Sequence, residues 1–177
     1  MSERVIFSAT FESLFRVLAT EALTALLPTL RAEGIDPHQL TPAYPMTTWV
    51  KVVRAMLPLF APGASEDDAL TQLGACIVDS YGEGLVGKAL FGVLKVLGPR
   101  RPLDRTARNF RTTNNDAEAT VTHLEGNTFE LWMNEVDLPT FSAAVVQAGL
   151  RHAGAVEPTV TVTAKDEKGT TFLVSWR

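Results

Sequence analysis

Five arginines fall within twelve residues of this chain, Arg100, Arg101, Arg105, Arg108 and Arg111, and the last three recur at every third position. A guanidinium is a planar fork of donors that fits carboxylates and phosphates, and side chains three apart share a helical face. The run therefore offers an anion site for an acidic protein partner, a phosphorylated ligand or nucleic acid. The competing reading is a solvated face paired with acids elsewhere in the domain. A formal net charge of -4 argues against the broad basic surface that duplex nucleic acid requires.

Gly82-Glu83-Gly84-Leu85-Val86-Gly87 matches the G-x-G-x-x-G pattern of dinucleotide loops, with Ala75 to Val78 ahead of it and Asp104 about where an acid would meet a ribose. That fold needs a second buried strand after the following helix, and Arg100-Arg101-Pro102-Leu103-Asp104-Arg105 cannot be one. Two helices joined at a glycine turn with close packing is the simpler account.

Cys76, the only cysteine, falls among Leu73, Ile77 and Val78, where a small apolar side chain belongs in a core. His38, His123 and His152 show no paired metal-ligand spacing, and a histidine at a helix end complements the dipole there. No metal or catalytic set emerges: G-x-S-x-G, S-x-x-K and H-E-x-x-H are all missing from the sequence. An enzyme would have to gather its residues from separate elements.

The elements that position these residues follow from hydrophobic period. Thr10 or Ser13 starts a helix with Phe11, Leu14, Phe15, Leu18 and Ala22 inward, and Pro28 should end or kink it. Ile35 to Tyr44 reads as a loop. Pro45 opens a helix striped by Trp49, Val53, Met56, Leu57 and Phe60. Ser65 before Glu66, Asp67 and Asp68 caps the next helix, which carries Leu70, Leu73, Ile77 and Tyr81. Leu85 to Leu97, apolar around nearly its whole circumference, predicts a central helix covered by others, and Leu103 to Arg111 predicts a more polar one.

After residue 116 the period changes from helical to alternating. Thr120 to Leu124 and Thr128 to Met133 flank Glu125-Gly126-Asn127 as a hairpin. Thr140 to His152 is helical, and Thr159 to Thr163 with Thr171 to Trp176 flank a turn at Asp166 to Gly169 as a second hairpin. The fold class is α+β: a helical lobe (1–113) followed by a ββαββ unit (114–177) forming one four-stranded antiparallel sheet, with no linker between.

At 177 residues the chain suits a single domain, and such a domain buries about 70% of the surface its unfolded chain would expose. A composition of 46% hydrophobic and 20% charged residues is that of a globular protein. One cysteine permits no internal disulfide, as a reducing compartment would allow, and cytoplasm is the expected location. Glu3 and Arg4, then Glu12, Arg16, Glu21 and Arg31, interrupt the N-terminal apolar stretches as neither a signal peptide nor a membrane span would.

Helices first and ββαββ last is the chain order of the superfamily holding haem nitric-oxide-binding domains, four-vinyl-reductase domains and transport-particle subunits. The chain resembles more closely a myxobacterial paralogous family of unknown function in that superfamily. The matching residues are Phe7-Ser8 with Glu12 and Leu14, Gly34-Ile35-Asp36, Tyr44-Pro45, Ala69-Leu70 with Leu73-Gly74, Gly98-Pro99, Gly149 to Ala155 and Val174-Ser175-Trp176. The resemblance implies the fold. Haem-binding relatives carry an axial histidine on the helix before the first hairpin and a Tyr-x-Ser-x-Arg motif, and this sequence has neither, so no haem cofactor is expected. The other relatives imply an apolar cavity or a dimer surface.

Phe11, Phe15, Trp49, Phe60, Tyr81 and Phe91 fall on the inward stripes of separate helices. Such rings either interdigitate fully or leave a concave space for a small apolar ligand. The expected function is a non-enzymatic sensor or binding module that holds such a ligand or a partner subunit, with a structural dimerisation module or an enzyme as the alternatives.

Overall fold

The computed structural model describes residues 3–83, 85–134 and 137–177. Its elements are β1 (Val5–Phe7), α1 (Ser8–Arg16), α2 (Thr20–Ala32), β2 (Ala43–Pro45), α3 (Met46–Phe60), α4 (Glu66–Glu83), α5 (Leu85–Leu97), α6 (Arg100–Asp104), α7 (Thr106–Phe110), β3 (Ala119–Glu125), β4 (Thr128–Met133), α8 (Pro139–His152), β5 (Thr159–Lys165) and β6 (Thr170–Ser175).

The C-terminal unit follows its alternating pattern. β3, β4, β6 and β5 lie side by side in that order, every pair antiparallel. Gly126, at φ 51°, takes the left-handed conformation that the first hairpin turn demands. In the second, the Asp166 carboxylate accepts hydrogen bonds from the amides of Lys168 (2.8 Å) and Gly169 (3.0 Å), an Asx turn. Leu131, Phe172 and Val174 from the sheet and Leu150 from α8 are all at most 1% exposed, so α8 covers this face.

The helical lobe has a second core around Phe11, Leu14, Leu30, Val52, Met56 and Leu73. α4 joins the two. Its N-terminus is capped as the sequence predicts, Ser65 Oγ accepting the Asp68 amide at 3.1 Å, and Thr140 Oγ1 donates to Asp67 Oδ1 at 2.8 Å to bring the start of α8 alongside. A Cβ on Gly74 would stand 2.8 Å from both Ala144 Cβ and the Phe141 carbonyl oxygen. Glycine there lets α4 and α8 cross almost backbone to backbone.

Several local expectations are corrected. Val5 to Phe7 and Ala43 to Pro45 pair as a small antiparallel ribbon, so the segment read as a loop ends in a strand. Three-residue strands carry too few residues to show a period. The first helix starts at Ser8 and stops at Arg16, and α2 runs through Pro28 to Ala32. Leu26 and Leu30 are 1% and 0% exposed, and their burial offsets the backbone bond that proline removes. The helix expected over Leu103 to Arg111 is two short ones, because Thr106 Oγ1 takes the Leu103 carbonyl at 2.7 Å and the chain turns at Arg105.

The largest correction concerns α5. It is a surface helix, not a central one: Val93 is 57% exposed and Val96 87%. Its inner side meets the protein through buried Gly87 and half-buried Phe91 and Leu94, and no described element covers the outer side. Hydrophobicity all round a helix identifies two apolar faces but does not supply a partner for each.

Candidate functional site

The six aromatic residues separate into three places. Phe11 is fully buried, its ring centroid 5.0 Å from Tyr44, 5.3 Å from Trp49 and 6.0 Å from Phe15. Edge-to-face rings at these spacings fill the lobe's centre. Phe60 lies at an open groove with Cys76 and Asp79. Tyr81 and Phe91 stand together at 6.0 Å beneath α5, where Phe91 stacks on the His152 ring at 4.1 Å.

Two of the cavities lie on the seam between the two cores. One cavity of about 300 Å³ is roofed by Leu90, Phe91, Leu94 and Leu97 of α5 and floored by Leu103, Val146 and Leu150. A second, of about 180 Å³, lies between Ile6, Met46, Trp49, Ile77 and Phe141. Asn109, Phe110 and Val145 line both, and the consecutive α4 residues Ile77 and Val78 face one each. Trp49 and Phe91 are thus the predicted ring residues that reach a seam cavity, from opposite sides.

The arginines are not presented on one face. Arg100 pairs with Asp104 at 2.8 Å and places its guanidinium 4.4 Å above the Phe129 ring, while Arg111 Nε donates to the Ala117 carbonyl at 2.8 Å. Arg108 is exposed on α7. Arg101 and Arg105 line the larger cavity. The break at Arg105 separates these roles.

On the far side of Phe91, Asp79 accepts hydrogen bonds from His152 Nε2 (2.7 Å) and Arg151 (2.7 Å). Burial acts to raise the Asp79 carboxyl, but the bonds and charges of His152 and Arg151 outweigh it and hold it below the usual value. Cys76 is half-buried rather than in the core, and burial followed by the Asp79 and Glu83 carboxylates pushes its thiol up. A thiol held protonated is a poor nucleophile. Among the described residues no group of three His, Cys, Asp or Glu is placed to hold a metal ion.

Of the G-x-G-x-x-G residues, Gly84 lies outside the described residues, and the other two glycines serve packing. A Cβ on Gly82 would meet the Phe91 ring at 2.7 Å, and one on Gly87 would overlap the Tyr81 carbonyl. They let α4 and α5 close on each other. Gly74 and Asp79 are the structurally decisive residues that sequence reasoning passed over; the Leu73-Gly74 pair was visible, but its partner Ala144 lies seventy positions away in sequence.

Over residues 4–177 the sequence matches the family described as "Protein of unknown function (DUF2378)". The chain belongs to this family. The match establishes no myxobacterial source. No curated protein matches it in sequence.

Among solved structures the chain is similar to the Fe(II) unliganded H-NOX protein from K. algicida, at 14% identity and a TM-score of 0.64, covering 94% of each chain. It is also similar to an H-NOX protein from S. oneidensis in the Fe(II)NO ligation state, at 8% identity and a TM-score of 0.66, covering 94% of this chain and 98% of that one. A third is an oxygen-binding H-NOX domain related to soluble guanylate cyclases, at 8% identity and a TM-score of 0.64, covering 96% and 94%. At such identities the likeness shows the fold: this DUF2378 chain is H-NOX-like in architecture from end to end. No helix among the described residues is long and apolar enough to cross a membrane.

Proposed function

We propose that this protein is a non-enzymatic sensor or binding module whose seam cavity, beneath α5, holds a small apolar ligand. The observation that carries the reading is that cavity of about 300 Å³, walled mainly by Leu, Val and Phe side chains at the junction of α5, α6, α7 and α8. The cavity opens to solvent, with Leu90 and Leu97 43% and 42% exposed, and its volume is at the lower end of ligand pockets. The H-NOX likeness supports a sensor through fold alone.

Haem does not suit this site. Haem iron takes a histidine, cysteine, methionine or tyrosine ligand, and none of these lines the larger cavity. The nearest histidine, His152, is behind Phe91 with its Nε2 committed to Asp79. Only Met46 in the smaller cavity offers a ligand atom. The resemblance to a myxobacterial family and a cytoplasmic location belong to this same reading.

The test is to extract purified protein with organic solvent and to repeat the extraction on Leu90→Trp, whose ring would occupy the cavity. A bound molecule recovered from the wild type and missing from the variant supports the reading. An empty extract, with apolar probes failing to bind, refutes it.

A second reading, self-association as a dimerisation module, is favoured by one observation: the outward side of α5, with Val93 and Val96, is apolar and bare. Subunit number in solution, compared between wild type and Val93→Glu with Val96→Glu, decides it.

A further inference from the structure

We propose that Arg101 and Arg105 are the head-group site of the larger seam cavity, so that its ligand is a single-chain carboxylate, with an apolar tail beneath α5 and its anionic head at the two guanidinium groups. This rests on the reading that the cavity holds a ligand at all, and adds which chemistry that ligand has.

Arg100 has Asp104 and the face of Phe129, and Arg111 has the Ala117 carbonyl. Among the described residues Arg101 and Arg105 have no acid within ion-pair distance, although both line a cavity otherwise walled by leucine, valine and phenylalanine. They stand four apart in sequence, Arg101 in α6 and Arg105 at the break before α7, and both are exposed. An anion at the cavity would supply the partner that neither finds among the described residues.

The remaining polar groups of the lining are occupied. Thr106 Oγ1 donates to the Leu103 carbonyl at 2.7 Å, and Asn109 Nδ2 to the Pro102 carbonyl at 3.4 Å. Among the described residues the two guanidinium groups are the charged donors of the lining that have no partner. Both residues are exposed, so a neutral apolar molecule leaves their guanidinium groups to water and gains nothing from them, whereas a carboxylate accepts their forks directly. At about 300 Å³ the cavity admits one chain with a small head and not a two-chain lipid.

The experiment is calorimetric titration of the full chain with octanoate, octan-1-ol and acetate, repeated on Arg101→Gln with Arg105→Gln, on Leu94→Trp, and on Arg108→Gln as a charge control outside the cavity. The expected result is saturable octanoate binding at one equivalent, about tenfold or more tighter than octan-1-ol, with no measurable acetate binding. The paired Gln variant should bring octanoate to the level of octan-1-ol and leave octan-1-ol unchanged. Leu94→Trp should lose both, and Arg108→Gln should change neither.

Equal binding of octanoate and octan-1-ol, indifferent to the Gln pair, overturns the head-group site while the cavity reading stands. Loss of octanoate binding in Arg108→Gln as large as in the pair also overturns it, since bulk charge would then explain the effect. Binding of neither chain by the wild type overturns the cavity reading and this inference with it.

Discussion

The aromatic centre of the helical lobe and the seam beneath α5 are built from the same kinds of residue, apolar side chains on helical stripes, and they end in opposite states. Around Phe11, which is fully buried, the rings of Tyr44 and Trp49 meet it edge to face and that of Phe15 lies tilted against it. Beneath α5, Leu90, Phe91, Leu94 and Leu97 roof a cavity and the helix's other side is bare. The difference is in what surrounds each stripe. The lobe centre is enclosed by α1, α3 and the β1–β2 ribbon, whereas α5 lies on one layer of helices with no described element outside it. Apolar character gives each helix the same driving force, and only the arrangement of neighbours decides whether the result is core or site.

The largest effect is expected at Phe11. Phe11→Ala should cost about 3–5 kcal/mol in urea unfolding, because a fully buried ring leaves a void that the surrounding rings cannot refill. A loss below about 1 kcal/mol would mean the lobe centre is as loosely packed as the seam.

Gly74→Ala should follow, at about 1–3 kcal/mol, since the new methyl would meet the Phe141 backbone oxygen, which cannot step aside as a side chain would. Thermal melting of this variant beside Gly92→Ala, where a Cβ meets nothing within 4 Å, separates overpacking from any general effect of replacing glycine in a helix.

Asp79→Asn has a smaller expected effect, at most about 1 kcal/mol at neutral pH, because its carboxylate is nearly half exposed. The folded carboxyl is held below its ordinary value, so its contribution is present above that value and disappears as pH falls through the lowered one. Wild type and variant should converge in stability in acid. A gap that persists there would assign the effect to shape rather than charge. Smallest of all, Val96→Ser should change stability by no more than about 0.5 kcal/mol, because that side chain is 87% exposed. A larger loss would show that something covers α5 in solution.

The sheet was legible because hairpin turns and alternating strands are local signals: Gly126-Asn127 and Asp166 to Gly169 sit where the patterns change direction. α4 was legible for the same reason, its Ser65 cap lying three residues from Asp68. The ribbon, the helix through Pro28 and the exposure of α5 depend on contacts between residues far apart in sequence. Nothing in the Leu85 to Leu97 stretch states which of its faces will find a neighbour. Phe91 and the arginines were visible as candidates, but the sorting of Arg101 and Arg105 toward the cavity depends on the break at Arg105, which a side chain three residues from its acceptor brings about.

Native mass spectrometry of the purified full chain, beside Leu90→Trp, decides whether the seam beneath α5 is a binding site or a packing defect. A binding site gives a wild-type mass exceeding that of the chain by one small molecule, or gaining one on addition of octanoate, and a variant that stays at chain mass throughout. A wild type that remains at chain mass with every apolar probe, indistinguishable from Leu90→Trp, would contradict a binding site there.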